Sequence, residues 1–116
     1  KATSNICTNQ SLCALRACIY MSLLGRDGFR ELALINAKRA YGLYKLIKKF
    51  SVFDKPFFNE FLIKVKNVKE INEKGFYFGP PVERYFPDLK DCYLVAVTEL
   101  NKKEAIEKFA ASLEGL

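Results

Sequence analysis

The chain has 116 residues, which is enough for one domain but small for an enzyme with its own cofactor pocket. Half of its residues are apolar and 28% are charged, a balance typical of an ordered domain. The sequence has no run of about 20 apolar residues and so predicts no membrane span. The four cysteines lack metal-type spacing and the chain has no histidine, which argues against a zinc site or a histidine-dependent site.

The net charge of +6 is concentrated in one predicted helix. Seven basic residues fall between Arg26 and Lys49, where Asp27 and Glu31 are the only acids. A positive surface of this kind suits an acidic protein, an anionic ligand or nucleic acid. A solvated lysine-rich helix face explains the same pattern, because runs of charge usually serve solubility. A basic module that binds nucleic acid or an acidic protein through residues 26–50 therefore stays open as the alternative function.

The first ten residues are mostly small and polar, and they precede an apolar helix. Hydroxyl and amide side chains come from Thr3, Ser4, Asn5, Thr8 and Asn9. Side chains of these types are the preferred helix caps. The unpaired N–H groups of a first helical turn also bind anions, together with such side chains. Two interpretations therefore stay open: a well-capped helix start, and an anion site or subunit contact.

Two helices are predicted in the first half of the chain. The first covers Asn9–Leu24 and ends at Gly25; it is apolar almost all round, which predicts burial between layers or at an interface. Cys13 and Cys18 lie within it and are interpreted as small buried residues of a protein in a reducing compartment. Asp27 is predicted to cap the second helix, whose inner stripe recurs at steps of three and four. The stripe contains Phe29, Leu32, Asn36, Ala40, Leu43, Ile47 and Phe50.

After Pro56 the period of the sequence changes from that of a helix to that of a strand. One face of this strand is predicted to contain Phe57, Asn59, Phe61, Ile63 and Val65. A second strand, rich in valine and tyrosine, is predicted over Cys92–Glu99. The proline-containing stretch between the two is predicted to be mostly irregular, with a brief strand over Phe76–Phe78.

Two capping signatures predict the remaining helices. Asn67 with Glu70 begins a short helix that ends at Gly75, and Asn101 with Glu104 begins the final helix. The final helix is predicted to pack on the sheet through Ile106, Phe109, Leu113 and Leu116.

The order of these elements predicts the α+β fold class, with a small, mostly antiparallel sheet covered by helices. We expect a single domain over residues 1–116. Within it, residues 1–25 form an interface loop and a buried helix, and residues 26–116 form a small α+β domain.

Three polar residues near the predicted strands are candidate site residues. Asn59 falls on the apolar strand face, where an unpaired buried amide costs about 1–3 kcal/mol. A hydrogen bond to a neighbouring loop explains it most simply. Glu60 and Glu99 lie near strand ends, where an ion pair with lysine or arginine and a place in a substrate channel are the two explanations.

Several motifs along the chain resemble one family. They are the first ten residues and the segments 22–25, 28–33, 56–61, 85–89 and 97–100. Their order and spacing resemble those of the P-protein, the glycine decarboxylase of the glycine cleavage system. The resemblance is specifically to the C-terminal region of subunit 1, from organisms that divide this enzyme into two polypeptides. The chain departs from the family pattern between Gly75 and Glu83, where Gly79, Pro80 and Pro81 form a shorter link.

The resemblance implies membership of a glycine dehydrogenase (aminomethyl-transferring). Such an enzyme decarboxylates glycine with pyridoxal 5'-phosphate and transfers the aminomethyl group to the lipoyl H-protein. It also implies a fold like the C-terminal small domain of fold-type I pyridoxal-phosphate enzymes. In the divided family the Schiff-base lysine belongs to subunit 2, so that partner is expected to hold the cofactor. This chain is expected to bind none by itself and to be inactive alone.

The resemblance also assigns roles to residues. Thr3, Ser4 and Asn5 are expected to reach the cofactor phosphate across the subunit interface, and no catalytic residue or metal ligand is expected in this chain. The expected partners are P-protein subunit 2, in a heterotetramer, and the lipoyl H-protein, without nucleic acid or a membrane. The expected location is the cytoplasm.

Overall fold

The computed structural model describes residues 10–115. The helices and strands are, in chain order, α1 (Gln10–Leu46), β1 (Glu60–Lys64), α2 (Val68–Glu73), β2 (Cys92–Ala96) and α3 (Lys103–Glu114). Short 3₁₀ turns lie at Lys48–Phe50 and Val82–Arg84. The chain divides into two compact units, Lys1–Ala33 and Leu34–Leu116. Along residues 10–115, no helix is both long and apolar enough to cross a membrane.

In the first unit, the helical backbone of α1 is interrupted at Gly25. The φ of this glycine is 59°, in the left-handed region that side chains with a Cβ rarely adopt. The predicted end of the first helix at Gly25 is confirmed as this break, after which the helix resumes. The rings of Tyr20 and Phe29 pack edge to face within this unit, with centroids 6.1 Å apart. Asn9, the predicted first residue of the helix, lies outside the described residues.

The apolar stretch of α1 before Gly25 is exposed in this chain. Its large exposed apolar side chains are Leu12, Leu15, Ile19, Tyr20, Met21 and Leu23. Cys13 and Cys18 are exposed too, so the prediction that they are buried is wrong for this chain. A helix that is apolar all round needs neighbours on several sides, and the described part of the first unit consists of helix alone. Burial of this stretch at an interface stays a prediction.

The second unit contains the hydrophobic core. β1 and β2 pair antiparallel, with Glu60 opposite Ala96 and Lys64 opposite Cys92. The predicted alternation of β1 is confirmed, because its inner-face side chains are buried while Glu60 and Lys64 are exposed. The core is formed by Ala40, Leu43, Tyr44, Ile47, Phe61, Ile63, Val65, Ile71, Val95, Val97, Ala110 and Leu113. Burying each large aliphatic side chain of this set contributes about 1.5–3 kcal/mol, so the sheet and its helices hold together through this layer.

This arrangement confirms the α+β class, an antiparallel sheet packed against helices. The later half of α1 supplies its predicted stripe, in which Ala40, Leu43 and Ile47 are buried. The short helix α2 contributes Ile71, and Gly75 follows its end with a φ of 85°. Leu116, predicted to extend the inner face of α3, lies outside the described residues.

The brief strand predicted over Phe76–Phe78 is wrong. These residues are irregular because two of their rings pack on α3: Phe76 and Phe78 lie 5.3 and 5.7 Å from the ring of Phe109. The Phe78 ring also packs on Tyr93 of β2, with centroids 5.4 Å apart, and the backbone meets β2 further on, where Pro81 forms an isolated antiparallel bridge with Tyr93. This segment therefore packs its aromatic rings on α3 and does not form a third strand.

The two predicted capping boxes are also wrong in detail, although both helices are present. Asn67 precedes α2 without a capping hydrogen bond, and its Nδ2 donates to Glu70 Oε1 at 3.3 Å. The residue before α3 is Lys102, which has no side-chain cap. Asn101 accepts instead from the backbone N–H of Thr98, at 2.7 Å, and shapes the preceding loop. The Asn101 side chain therefore stabilises a local turn and does not cap α3 as predicted.

Candidate functional site

The predicted phosphate-contacting residues, Thr3, Ser4 and Asn5, lie outside the described residues. Their role therefore stays a prediction. The structure describes the other candidates, Asn59, Glu60 and Glu99, and brings them to the same end of the two-stranded sheet. The backbone N–H of Val97 donates to the Asn59 carbonyl at 2.9 Å, and Glu99 follows two residues later.

Glu99 lies in the loop between β2 and α3, and helix α1 holds its backbone on both sides. Nη1 of Arg39 donates to the Glu99 carbonyl oxygen and also to the Asn101 carbonyl, the latter at 2.8 Å. The amide oxygen of Asn36 accepts from the Glu99 N–H. A charged donor and an amide acceptor thus fix the backbone of Glu99 through its C=O and its N–H, which belong to successive peptide units, and this makes the loop a rigid connection.

The tip of this anchored loop is exposed. Leu100, at its tip, is 81% exposed. The carboxylate of Glu99 makes no ion pair or hydrogen bond with any residue between 10 and 115, and neither does that of Glu60. The ion-pair explanation therefore fails for both glutamates within the described chain. A place for them in a substrate channel stays a prediction.

Asn59 differs from its prediction as a buried amide. The strand begins one residue later, at Glu60, and Asn59 is only half-buried. Its backbone joins the sheet through the bond to Val97, while its side chain is not required to find a buried partner. The hydrogen-bond argument from the sequence therefore does not apply at this position.

An apolar cleft of about 300 Å³ lies along β2 in the second unit. Its walls come from Leu94–Ala96 of β2 and the following Val97, from Phe76–Gly79 and from α3, which contributes Ile106 and Phe109. Asn101 supplies a side-chain amide at its rim. The lining has no charged side chain and few polar groups of any kind, so the cleft is a poor fit for the phosphate of a pyridoxal-phosphate group. Among residues 10–115, no three histidine, cysteine, aspartate or glutamate side chains are grouped as a metal site.

A second polar cluster joins the end of α1 to the following loop. The hydroxyl of Tyr44 donates to Asp54 Oδ1 at 2.8 Å, and Lys48 Nζ lies 3.4 Å from Asp54 Oδ2. The hydrogen bond from Tyr44, followed by the charge of Lys48, lowers the pKa of the Asp54 carboxyl below its ordinary value. The same bond raises the pKa of the Tyr44 hydroxyl. The cluster fixes the loop and does not adjoin the cleft.

Four of the seven basic residues between Arg26 and Lys49 make contacts within the second unit. Arg39 is turned onto the loop, and Lys45 lies 4.7 Å from the centre of the Tyr41 ring. Lys48 pairs with Asp54, and Lys49 approaches Glu114 at 3.9 Å. These contacts give several of the basic residues a role within the fold, which weighs against a helix whose basic residues serve only to bind nucleic acid.

The sequence reasoning missed Asn36 and Arg39. A signal was present, because Asn36 falls on the inner stripe of an otherwise apolar helix face. A polar side chain at such a position must find a partner, and the partner here is the backbone of the loop before α3.

Comparison with known proteins extends over nearly the whole chain. Residues 1–113 match the family model described as glycine cleavage system P-protein. A protein of Anoxybacillus flavithermus, named probable glycine dehydrogenase (decarboxylating) subunit 1, is 43% identical over 97% of this chain and 27% of its own length. A protein of the same name from Geobacillus sp. strain WCH70 is 46% identical over the same shares of the two chains.

A solved structure agrees with these relatives. The crystal structure of glycine decarboxylase (P-protein) of the glycine cleavage system, in inhibitor-bound form, superposes with a TM-score of 0.80 at 33% identity. The superposition covers 99% of this chain and 28% of that one. The chain thus spans little more than a quarter of the length of its curated relatives. It belongs to the P-protein family of the glycine cleavage system.

Proposed function

We propose that this chain is the C-terminal portion of subunit 1 of a glycine decarboxylase, with a structural role at the subunit interface. The activity of the whole enzyme would then be decarboxylation of glycine and transfer of the aminomethyl group to a lipoyl carrier protein. Family membership supports this, since the matched relatives are named for that enzyme and extend well beyond the matched part.

The observation that carries the interface role is the exposed apolar stretch of α1. Leu12, Leu15 and Ile19 are each more than half exposed, on a helix without a polar face for solvent. At about 25 cal/mol per Å² of apolar surface, leaving such a helix in water is costly. Large exposed apolar surfaces of this kind mark interfaces, so other parts of the enzyme are proposed to cover it.

The cofactor is proposed to be pyridoxal 5'-phosphate bound by the partner, subunit 2. Two features of this chain support that division. The chain has no histidine and therefore lacks the histidine-lysine cofactor motif of the family. The cleft of the second unit is apolar and unsuited to a phosphate. When bound, the cofactor would supply the electron sink for loss of the glycine carboxylate.

Thr3, Ser4 and Asn5 are proposed to contact the cofactor phosphate from this side of the interface. Hydroxyl and amide donors next to a helix start suit an anion, because the first N–H groups of a helix have no internal partners. Capping of the helix by one of them is compatible with this, because residues ahead of the first turn would be free to face another subunit. The role of these residues is positioning, and none of them is proposed to react.

The partners are proposed to be subunit 2, in a heterotetramer, and the lipoyl H-protein, in the cytoplasm. By itself the chain is proposed to be inactive, because the reacting cofactor is assigned to the other subunit.

The test uses the full-length subunit 1 mixed with subunit 2. Thr3→Ala and Asn5→Ala are each expected to weaken binding of pyridoxal 5'-phosphate by about tenfold or more, as loss of a charge-assisted hydrogen bond predicts. The absorbance of the bound cofactor measures it during titration. Ser11→Ala, at an exposed position inside α1, is the matched control and should leave the affinity unchanged. Unchanged affinity in both of the first two variants would remove the assignment.

A further inference from the structure

The anchored loop, residues 98–101, is fixed by side chains as well as by its own backbone. The four N–H groups from Thr98 to Asn101 all donate, in turn to Asn101 Oδ1, Asn36 Oδ1, Thr98 Oγ1 and the Thr98 carbonyl. Arg39 donates to the carbonyls of Glu99 and Asn101. Surface loops are usually among the least protected parts of a fold, so such complete fixation calls for a reason.

The two distant anchors of this loop come from helix α1. Asn36 and Arg39 are three residues apart and therefore lie on the same helix face. They precede Glu99 by 63 and 60 residues. A short connection between a strand and a helix forms without help from a third element. The two side chains therefore serve to hold the loop in one conformation.

The fixed backbone presents one apolar and one acidic side chain. Leu100 is 81% exposed at the tip. A single exposed leucine is ordinary by itself, and what distinguishes this one is the rigid backbone that carries it. Glu99 is half-buried, and its carboxylate has no partner between residues 10 and 115, where Lys103 pairs with Glu107 at 3.7 Å. Covering such a carboxylate further without a cation would be costly.

Taking the proposed function as given, we infer that the anchored loop is an anchor point of the contact with subunit 2. Leu100 enters an apolar pocket of that subunit, and Glu99 pairs with a lysine or arginine beside the pocket. The matched relatives are named as subunit 1 of their enzymes, so each of those enzymes has a further polypeptide to provide such a surface.

The rigidity of the loop favours a separate polypeptide over the remainder of subunit 1 as its partner. Ordering a loop costs conformational entropy, and a loop that packs on its own chain meets that cost during folding. A loop that binds another polypeptide meets the cost at association unless its conformation is fixed beforehand. Asn36 and Arg39 fix it beforehand. The loop is therefore suited to a partner that binds after the subunit has folded.

The test compares variants of full-length subunit 1 in their affinity for fluorescently labelled subunit 2, measured by titration. Leu100→Ser is expected to weaken association at least about tenfold, because it removes an apolar side chain that is buried on binding. Tyr85→Ser is the matched control and should leave the affinity unchanged. Tyr85 is also largely exposed, but it follows the 3₁₀ turn at Val82–Arg84, which lies beside the start of β2, whereas the loop follows its end.

A second variant tests the acidic part of the contact. Glu99→Gln keeps the size of the side chain and removes its charge, so association is expected to weaken about threefold. The dependence of association on salt should fall as well, since the lost pair is electrostatic. Glu73→Gln, at an exposed glutamate of α2, is the control and should change neither quantity. Affinity and salt dependence that are unchanged in Glu99→Gln would overturn the ion pair.

Thermal unfolding of subunit 1 alone distinguishes the other occupants. Leu100→Ser is expected to leave the unfolding midpoint within about 1 °C, as for an exposed position away from any packing contact. A fall of about 4 °C or more would show that the remainder of subunit 1 covers the leucine. An unchanged midpoint with unchanged affinity would show that nothing covers it. Either result would overturn the inference.

Glycine decarboxylation, measured in the same mixtures, separates this inference from the proposed function. An active mixture in which Leu100→Ser associates normally refutes the loop contact alone. Association that depends on Leu100 but is not accompanied by decarboxylation refutes the proposed function alone.

Discussion

Substitution of Arg39 by methionine tests whether helix α1 fixes the loop that presents Glu99. Methionine keeps an apolar stem of similar reach but removes both hydrogen bonds, to the Glu99 and Asn101 carbonyls. Hydrogen bonds from charged groups contribute about 1.5–3 kcal/mol each, and the partial exposure of these two reduces the pair to about 2 kcal/mol. That loss corresponds to about 30-fold more frequent opening of the loop.

The assay is hydrogen exchange of the Glu99 amide in the full-length subunit. This N–H donates to Asn36, so Arg39→Met does not remove its partner. If Arg39 holds the whole loop closed, exchange of the Glu99 amide is expected to be about 30-fold faster in Arg39→Met than in the unsubstituted protein. Lys38→Met, at the neighbouring exposed position, is the control and should leave the rate unchanged. Acceleration below about threefold in Arg39→Met would refute the anchoring role, because the two bonds would then contribute little.

Three further predictions concern the fold. Tyr44→Phe removes the main cause of the low Asp54 pKa, so the pKa rises toward its ordinary value, as a carboxyl NMR titration would show. The stabilisation from that contact is present above the ordinary aspartate pKa and is lost as pH falls through the lowered one, so the variant should lose this acid dependence. Gly42→Ala, at a helix position with open space around it, should raise the free energy of unfolding measured in urea by about 0.5–1 kcal/mol. Gly25→Ala should lower it by about 1–2 kcal/mol, because Gly25 has a positive φ that a residue with a Cβ adopts with strain. Ile63→Ala should lower the free energy of unfolding by about 2–5 kcal/mol, since the side chain is fully buried; a loss below 1 kcal/mol would contradict its place in the core.

The sequence predicted those parts of the fold that depend on a repeated apolar pattern. The stripe through Ala40, Leu43 and Ile47 and the alternation through Phe61 and Ile63 both repeat over several residues, and both are confirmed. Each repeat reports burial against the same layer, so one misplaced residue does not change the result.

The predictions from the sequence were wrong where one side chain could contact either of two neighbours. Asn101 makes its bond to Thr98 and not to the start of α3, and Phe78 packs on Phe109 and not in a strand. The first case is a competition between two nearby partners, and the second depends on a residue distant in sequence. The anchors Asn36 and Arg39 reach partners about 60 residues away, a separation that no local pattern reveals.

The first helix shows a different limit. Its apolar composition predicts burial, and in this chain its large side chains are exposed. The apolar pattern predicts that the helix is covered, but it does not say by which polypeptide, because burial against any apolar surface removes the helix from water equally well. The cover proposed here lies in the remainder of the enzyme.

Mixing purified full-length subunit 1 with subunit 2 tests the central claim most directly. The measurement is release of labelled carbon dioxide from carboxyl-labelled glycine in the presence of the lipoyl H-protein. The account predicts release from the mixture, none from subunit 1 alone, and cofactor absorbance in subunit 2. Release by subunit 1 alone, cofactor bound to a lysine of this chain, or an inactive mixture would contradict it.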